Sequence, residues 1–180
     1  HGAVEWSLVR HIAPGIIGGT LLGAVLAARM SPQVLKLFFT LFLFYAATQM
    51  WLDFKPRPHR NLPGPVGTTF AGGIIGAVSS WVGIGGGTLS VPFLLWHNVP
   101  LHRAIATSSA IGLPIAIAGT FGYALAGRGS SLPEYSLGFI YLPALAGIVL
   151  GSVLTAPLGA RTAHRLQVRP LKKIFALLLY

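Results

Sequence analysis

The residues best placed to do chemistry in this chain carry no charge. Gly83-Ile84-Gly85-Gly86-Gly87-Thr88 leads into Leu89-Ser90-Val91-Pro92, and Thr107-Ser108-Ser109 lies in the next apolar run. Four glycines within five residues, then a proline, make a poor continuous helix. A helix restarting at Thr88 aims its free N–H groups and positive dipole end at the break. Glycine lets an anion touch the backbone directly. Thr88, Ser90, Thr107, Ser108 and Ser109 add hydroxyl donors. Donors of both kinds suit an anion whose oxygens only accept. The candidate substrate-binding residues are therefore Gly85, Gly86, Gly87, Thr88, Thr107, Ser108 and Ser109. Two plainer readings stand beside this one. The glycines also suit a hinge or a tight helix crossing, and Thr107-Ser108-Ser109 also suits an ordinary helix N-cap.

Bond-making chemistry finds little support. The three acids, Glu5, Asp53 and Glu134, sit at span ends or in loops. None can pair as general acid and base at the glycine break. The six histidines are scattered; His97 and His102 come nearest to a pair and read as loop residues. No HxxxH spacing points to a metal. Cysteine is absent, which removes disulfides, thiol catalysis and thiolate metal sites. No catalytic residue, cofactor or metal is expected. An integral membrane enzyme or a scaffold remains the alternative class, though a scaffold has no use for a broken membrane segment.

The elements around the break are apolar throughout. The chain has 180 residues, mean hydropathy +0.71, 53% hydrophobic and 9% charged residues. Soluble domains carry about 25% charged residues. The expected class is an all-α polytopic membrane protein. The net charge of +10 sits in short loops between apolar runs, which fits the positive-inside bias and not nucleic-acid binding. Full spans are expected at Ile12–Ala28, Val34–Leu52, Ala104–Ala126 and Leu137–Leu158, with Gly67–Ile84 leading into the break. Leu89–Trp96 is too short to cross a bilayer, which takes about 20 residues. Broken helices persist at membrane depth only inside protein or beside a wet cavity, and they commonly build transporter sites. Val34–Leu52 is bulky and suits a lipid-facing helix. Trp51, Trp81 and Trp96 read as interface or packing aromatics.

An internal repeat is visible. Gly15–Arg29 matches Gly147–Arg161, and Leu35-Lys36 with Phe39 match Leu171-Lys172 with Phe175. The period exceeds any solenoid unit of about 20–50 residues and fits the duplicated halves of a secondary transporter. Residues 1–54 then read as the last two helices of a first repeat. Residues 55–66 form a basic, proline-rich loop, and 67–180 form a second repeat truncated in its last helix. The chain opens on His1 and stops within a short apolar run, so it reads as a fragment.

The cations cluster after Asp53, at His97–Arg103 and at Arg161–Lys173. All three lie on one side of the membrane only if Gly67–Trp96 enters and leaves on the same side, as a hairpin broken at Gly83–Gly87. That arrangement inverts the two halves. The alternative is that Gly67–Ile84 spans fully.

Gly83-Ile84-Gly85-Gly86-Gly87, then Val91-Pro92 and Leu94, then Ala104-Ile105-Ala106-Thr107-Ser108-Ser109, occur in the order seen in one transporter family. The chain resembles the TauE/SafE sulfite-exporter family over nearly its whole length. The resemblance implies a permease moving small sulfur-containing or organic anions, such as sulfite, sulfoacetate or other sulfonates. It implies a multi-pass protein of the cell (inner) membrane. The expected partners are the lipid bilayer, a small anionic substrate and a second copy in a homodimer, with no nucleic acid. No acid lies within an expected span, so a carboxylate proton relay is not expected here. An anion leaving an inside-negative cell gains about 2.3 kcal/mol per 100 mV, enough for electrogenic export.

Overall fold

The computed structural model describes residues 4–52, 61–129, 132–165 and 173, 176 and 177. Six α-helices occur among them: α1 (Trp6–Arg29), α2 (Pro32–Trp51), α3 (Pro65–Val82), α4 (Gly87–Trp96), α5 (Leu101–Ala126) and α6 (Leu142–Arg165). Four described helices are long and apolar enough to cross a membrane: α1, α2, α5 and the Leu142–Gly159 part of α6. The all-α expectation holds apart from one small addition. Ser136–Leu137 (β1) pairs antiparallel with Ile140–Tyr141 (β2) ahead of α6. That ribbon takes the start of the span expected at Leu137, so the helix begins at Leu142.

Local sequence explains the turns. α1 ends at Arg29, and Met30 is extended. Ser31 then caps α2, its hydroxyl accepting from the Val34 N–H at 3.4 Å, with Pro32 opening the helix. The bulky face of α2 points outward; its only buried residues are Ala46 and Ala47.

The centre of the bundle is built by small residues. α1 and α3 run parallel, because Thr69 Oγ1 donates to the His11 carbonyl at 2.7 Å and Trp81 Nε1 donates to the Gly23 carbonyl at 2.9 Å. Between these ties the backbones nearly touch: a Cβ at Gly19 would lie 2.7 Å from Gly73 Cα. Only glycine permits that approach. α5 runs parallel to both. The Glu5 N–H donates to Thr107 Oγ1 at 3.0 Å near one end, and a Cβ at Gly122 would lie 2.8 Å from Ala24 Cβ near the other. Ile12, Ile16, Ile75, Ile111 and Ile115 fill the space between the three helices.

α3 and α4 form the broken hairpin. α3 ends at Gly83 in the left-handed conformation (φ 68°), where its N–H donates to the Ser79 carbonyl at 2.9 Å. The chain then doubles back, so that a Cβ on Gly86 would meet Ile115 and Ile111 near the middle of α5. α4 returns from there over ten residues, about 15 Å at about 1.5 Å per residue. Its far end lies beside the start of α3: His97, Asn98 and Pro100 share a cleft with Leu62, Pro63 and Pro65. Leu52 and Trp96 line a second groove at this end, and Lys173 Nζ sits 5.6 Å from the Trp51 ring. The segment from Gly67 to Trp96 thus enters and leaves at one end of the bundle. The basic loop at 53–60 and residues 166–172 lie outside the described residues.

Candidate functional site

The restart of α4 differs slightly from expectation. Gly86 is the N-cap and Gly87 the first helical residue, one position before Thr88. The Gly87 N–H donates to the Gly85 carbonyl, and the Leu89 and Ser90 N–H groups share the Gly86 carbonyl at 3.2 and 2.7 Å. The N–H groups of Gly85, Gly86 and Thr88 donate to no carbonyl among the described residues. Those of Gly86 and Thr88 are among the unsatisfied donors that every helix start leaves, and Gly85 comes just before the N-cap. Gly86 is buried at the level of Ile111 and Ile115, Thr88 is partly buried and Gly85 is exposed.

The hydroxyls divide into four settings. Ser90 Oγ donates to the Gly86 carbonyl at 2.5 Å. Its hydrogen is then committed, so Ser108 Oγ donates to Ser90 Oγ at 2.8 Å. Ser90 and Ser108 are buried. Together they brace the break from α5, and a Cβ on Gly87 would lie 3.6 Å from Ser108 Oγ. Thr107 is fully buried but looks elsewhere, accepting from the Glu5 N–H. Ser109 is exposed and donates to the Ile105 carbonyl of its own helix at 3.0 Å, so the fold does not bring it to the break. Thr88 faces a crevice shared with Phe42, Ser79 and Val82 that is too narrow for a water molecule. The N-cap alternative for Thr107-Ser108-Ser109 does not hold, because α5 already starts at Leu101.

The glycines also separate. A Cβ on Gly85 would meet nothing within 4 Å. One on Gly86 would lie 2.6 Å from Ile115 Cδ1. Gly86 is therefore a packing position as well as a backbone donor, while Gly85 borders open space.

Three supporting contacts had no clear signal in the sequence. Tyr123 OH donates to the Ser80 carbonyl at 2.7 Å, satisfying a carbonyl in the last turn of α3. The Trp81 ring is held edge-on by Phe38, with centroids 5.1 Å apart. Arg103 Nη1 donates to Glu5 Oε1 at 2.6 Å, joining residues 98 apart in sequence. Ser80 Oγ meanwhile donates to the Ala77 carbonyl at 2.7 Å, within its own helix.

Apolar spans surrounding a hairpin that breaks inside the bundle define a multi-pass membrane protein. The family model for "Sulfite exporter TauE/SafE" matches residues 1–180. A protein of Haemophilus influenzae described as "Probable membrane transporter protein" is 37% identical over 180 residues, covering 99% of this chain and 68% of that protein. No solved structure matches the chain. The chain belongs to the TauE/SafE sulfite exporter family and is a membrane transporter.

Proposed function

We propose that the protein is a secondary transporter that exports small sulfur-containing or organic anions, sulfite and sulfonates among them, across the inner membrane. One observation carries this reading. The open N–H groups of Gly85, Gly86 and Thr88 flank a helix start whose N-cap, Gly86, is buried against α5 while Gly85 stays exposed, and no described carbonyl takes them. Such a start attracts anions through its donors and its dipole. The Ser108–Ser90–Gly86 chain of hydrogen bonds holds the break open from behind. Acceptor-only oxygens of a sulfite or sulfonate complete the set. The described acids, Glu5 and Glu134, lie outside the helices, so the membrane potential supplies the driving force rather than a carboxylate relay. The duplicated halves inferred from sequence belong to the same reading, as does the absence of an enzymatic role.

Gly85→Val provides the test. Its side chain enters space that is empty within 4 Å, so folding is spared while backbone access is blocked. Efflux of labelled sulfite, sulfoacetate and taurine from proteoliposomes should stop, with an unchanged unfolding midpoint. Wild-type efflux by this variant removes the break as the binding site.

A further inference from the structure

A cleft of about 480 Å3 opens at the end of the bundle where α4 finishes. It differs from the break in lying at the surface and in holding side-chain charge. Glu5, His11, His97 and Arg103 all line it, with Thr68 and Asn98. The Arg103–Glu5 pair is partly open to solvent, with side chains 54% and 38% exposed. Among the described residues, only Nη1 of Arg103 has a hydrogen-bond partner. A guanidinium has five donors in a planar fork, so an edge able to grip an oxyanion remains available. His97 Nδ1 donates to the Phe93 carbonyl at 2.7 Å and covers a carbonyl at the negative end of α4.

The cleft and the break lie along the same helix, α5. The Glu5 N–H binds Thr107 Oγ1, one turn below Arg103 on α5. Ser108 is next in the chain and leads through Ser90 to the Gly86 carbonyl. Beside these residues, Leu8, Leu94, Val99 and Ala104 form a buried apolar cluster. The cleft is thus separated from the break by a buried layer that also holds the hydroxyls of Thr107, Ser108 and Ser90.

We propose that this cleft is a second anion site, an entry vestibule for a small carboxylate or sulfonate. It rests on the reading of the protein as an anion transporter. The free edge of Arg103 holds the anion, and Glu5 is the built-in competitor for the same guanidinium. A paired Arg103 is neutral overall and binds weakly; loss of the Glu5 charge leaves the cation unopposed. The two residues therefore act in opposite directions on one affinity.

The experiment measures sulfite binding by calorimetry on the purified full chain and sulfite flux in proteoliposomes. Methanesulfonate and acetate serve as further probes. Arg103→Gln should weaken sulfite binding about tenfold, the loss of one charge-assisted contact. Glu5→Gln should tighten it severalfold, and the gain should shrink in high salt. Arg103→Lys keeps the charge without the fork and should fall between wild type and Arg103→Gln. It also guards against a misfolded Gln variant, as does comparison of unfolding midpoints. Equal affinity in wild type, Glu5→Gln and Arg103→Gln overturns the vestibule, and so does no binding of any of the three probes by wild type. Binding that follows this order without flux leaves the vestibule standing and removes the transport reading instead.

Discussion

α1 and α6 share a sequence pattern and meet different fates. Gly15, Gly19, Thr20 and Gly23 of α1 correspond to Gly147, Gly151, Ser152 and Thr155 of α6. On α1 that face is buried: Gly19, Thr20 and Gly23 are covered, and a Cβ on Gly15 would collide with the Thr69 carbonyl. On α6 every residue from Leu142 to Gly159 is exposed, and a Cβ on Gly147 or Gly151 would meet nothing within 4 Å. The two helices also run in opposite directions. α1 ends where α3 ends, and α6 begins there, since Trp81, Tyr123, Tyr141 and Leu145 line one groove. Small residues at a spacing of four make a close approach feasible without choosing a partner. α1 is paired because α3 brings its own glycines, Gly72, Gly73 and Gly76, to the same line.

The largest effect should separate the two helices directly. Gly19→Leu forces α1 off the α3 backbone and should lower stability by about 3 kcal/mol or more. Gly151→Leu should stay within about 0.5 kcal/mol, as an exposed substitution does. Unfolding midpoints of the two purified variants decide the matter, and equal losses would mean that the face of α6 is covered as tightly as that of α1.

A medium effect contrasts two glycines of the break. Gly86→Val drives a side chain into Ile115 and should cost about 1–3 kcal/mol, unlike Gly85→Val. Loss of transport with equal loss of stability in both variants would erase the distinction between packing glycine and open glycine.

Smaller still is Tyr123→Phe. It removes the bond to the Ser80 carbonyl and should cost about 1 kcal/mol. Hydrogen exchange at Val82 and Gly83 should speed up, while that of α6 stays unchanged. Exchange that does not respond would show that the end of α3 is held by other means.

The smallest change has the opposite sign. Thr20 Oγ1 is buried with no partner among the described residues. Thr20→Val replaces it with a methyl of similar size and should stabilise the protein by about 1 kcal/mol. Ser152→Val on exposed α6 should be neutral. A Thr20→Val variant that is stabilised but slower in transport would give the hydroxyl a part in the path.

Composition and local chemistry alone determined the class of this protein. Long uncharged runs have no stable place outside a membrane, and four of them became helices of spanning length. The break at Gly83–Gly87 and the start of α2 at Ser31-Pro32 were legible because glycine and proline act on their own backbone. The hairpin needed more. The cation clusters favoured it, and α4 beside α5 decided it by placing Gly86 at mid-depth and His97 back near Pro63. The hydroxyls were legible as a set and not in their roles. Ser108 and Ser109 are neighbours in sequence, yet a step of one residue turns a helix by about 100°, so one faces Ser90 and the other points outward. The Glu5–Arg103 pair left no trace in the sequence, because residues 98 apart meet only when α1 and α5 pack side by side. A residue's own chemistry is local and can be read from its letter. Its partner is chosen by packing, which depends on every helix at once.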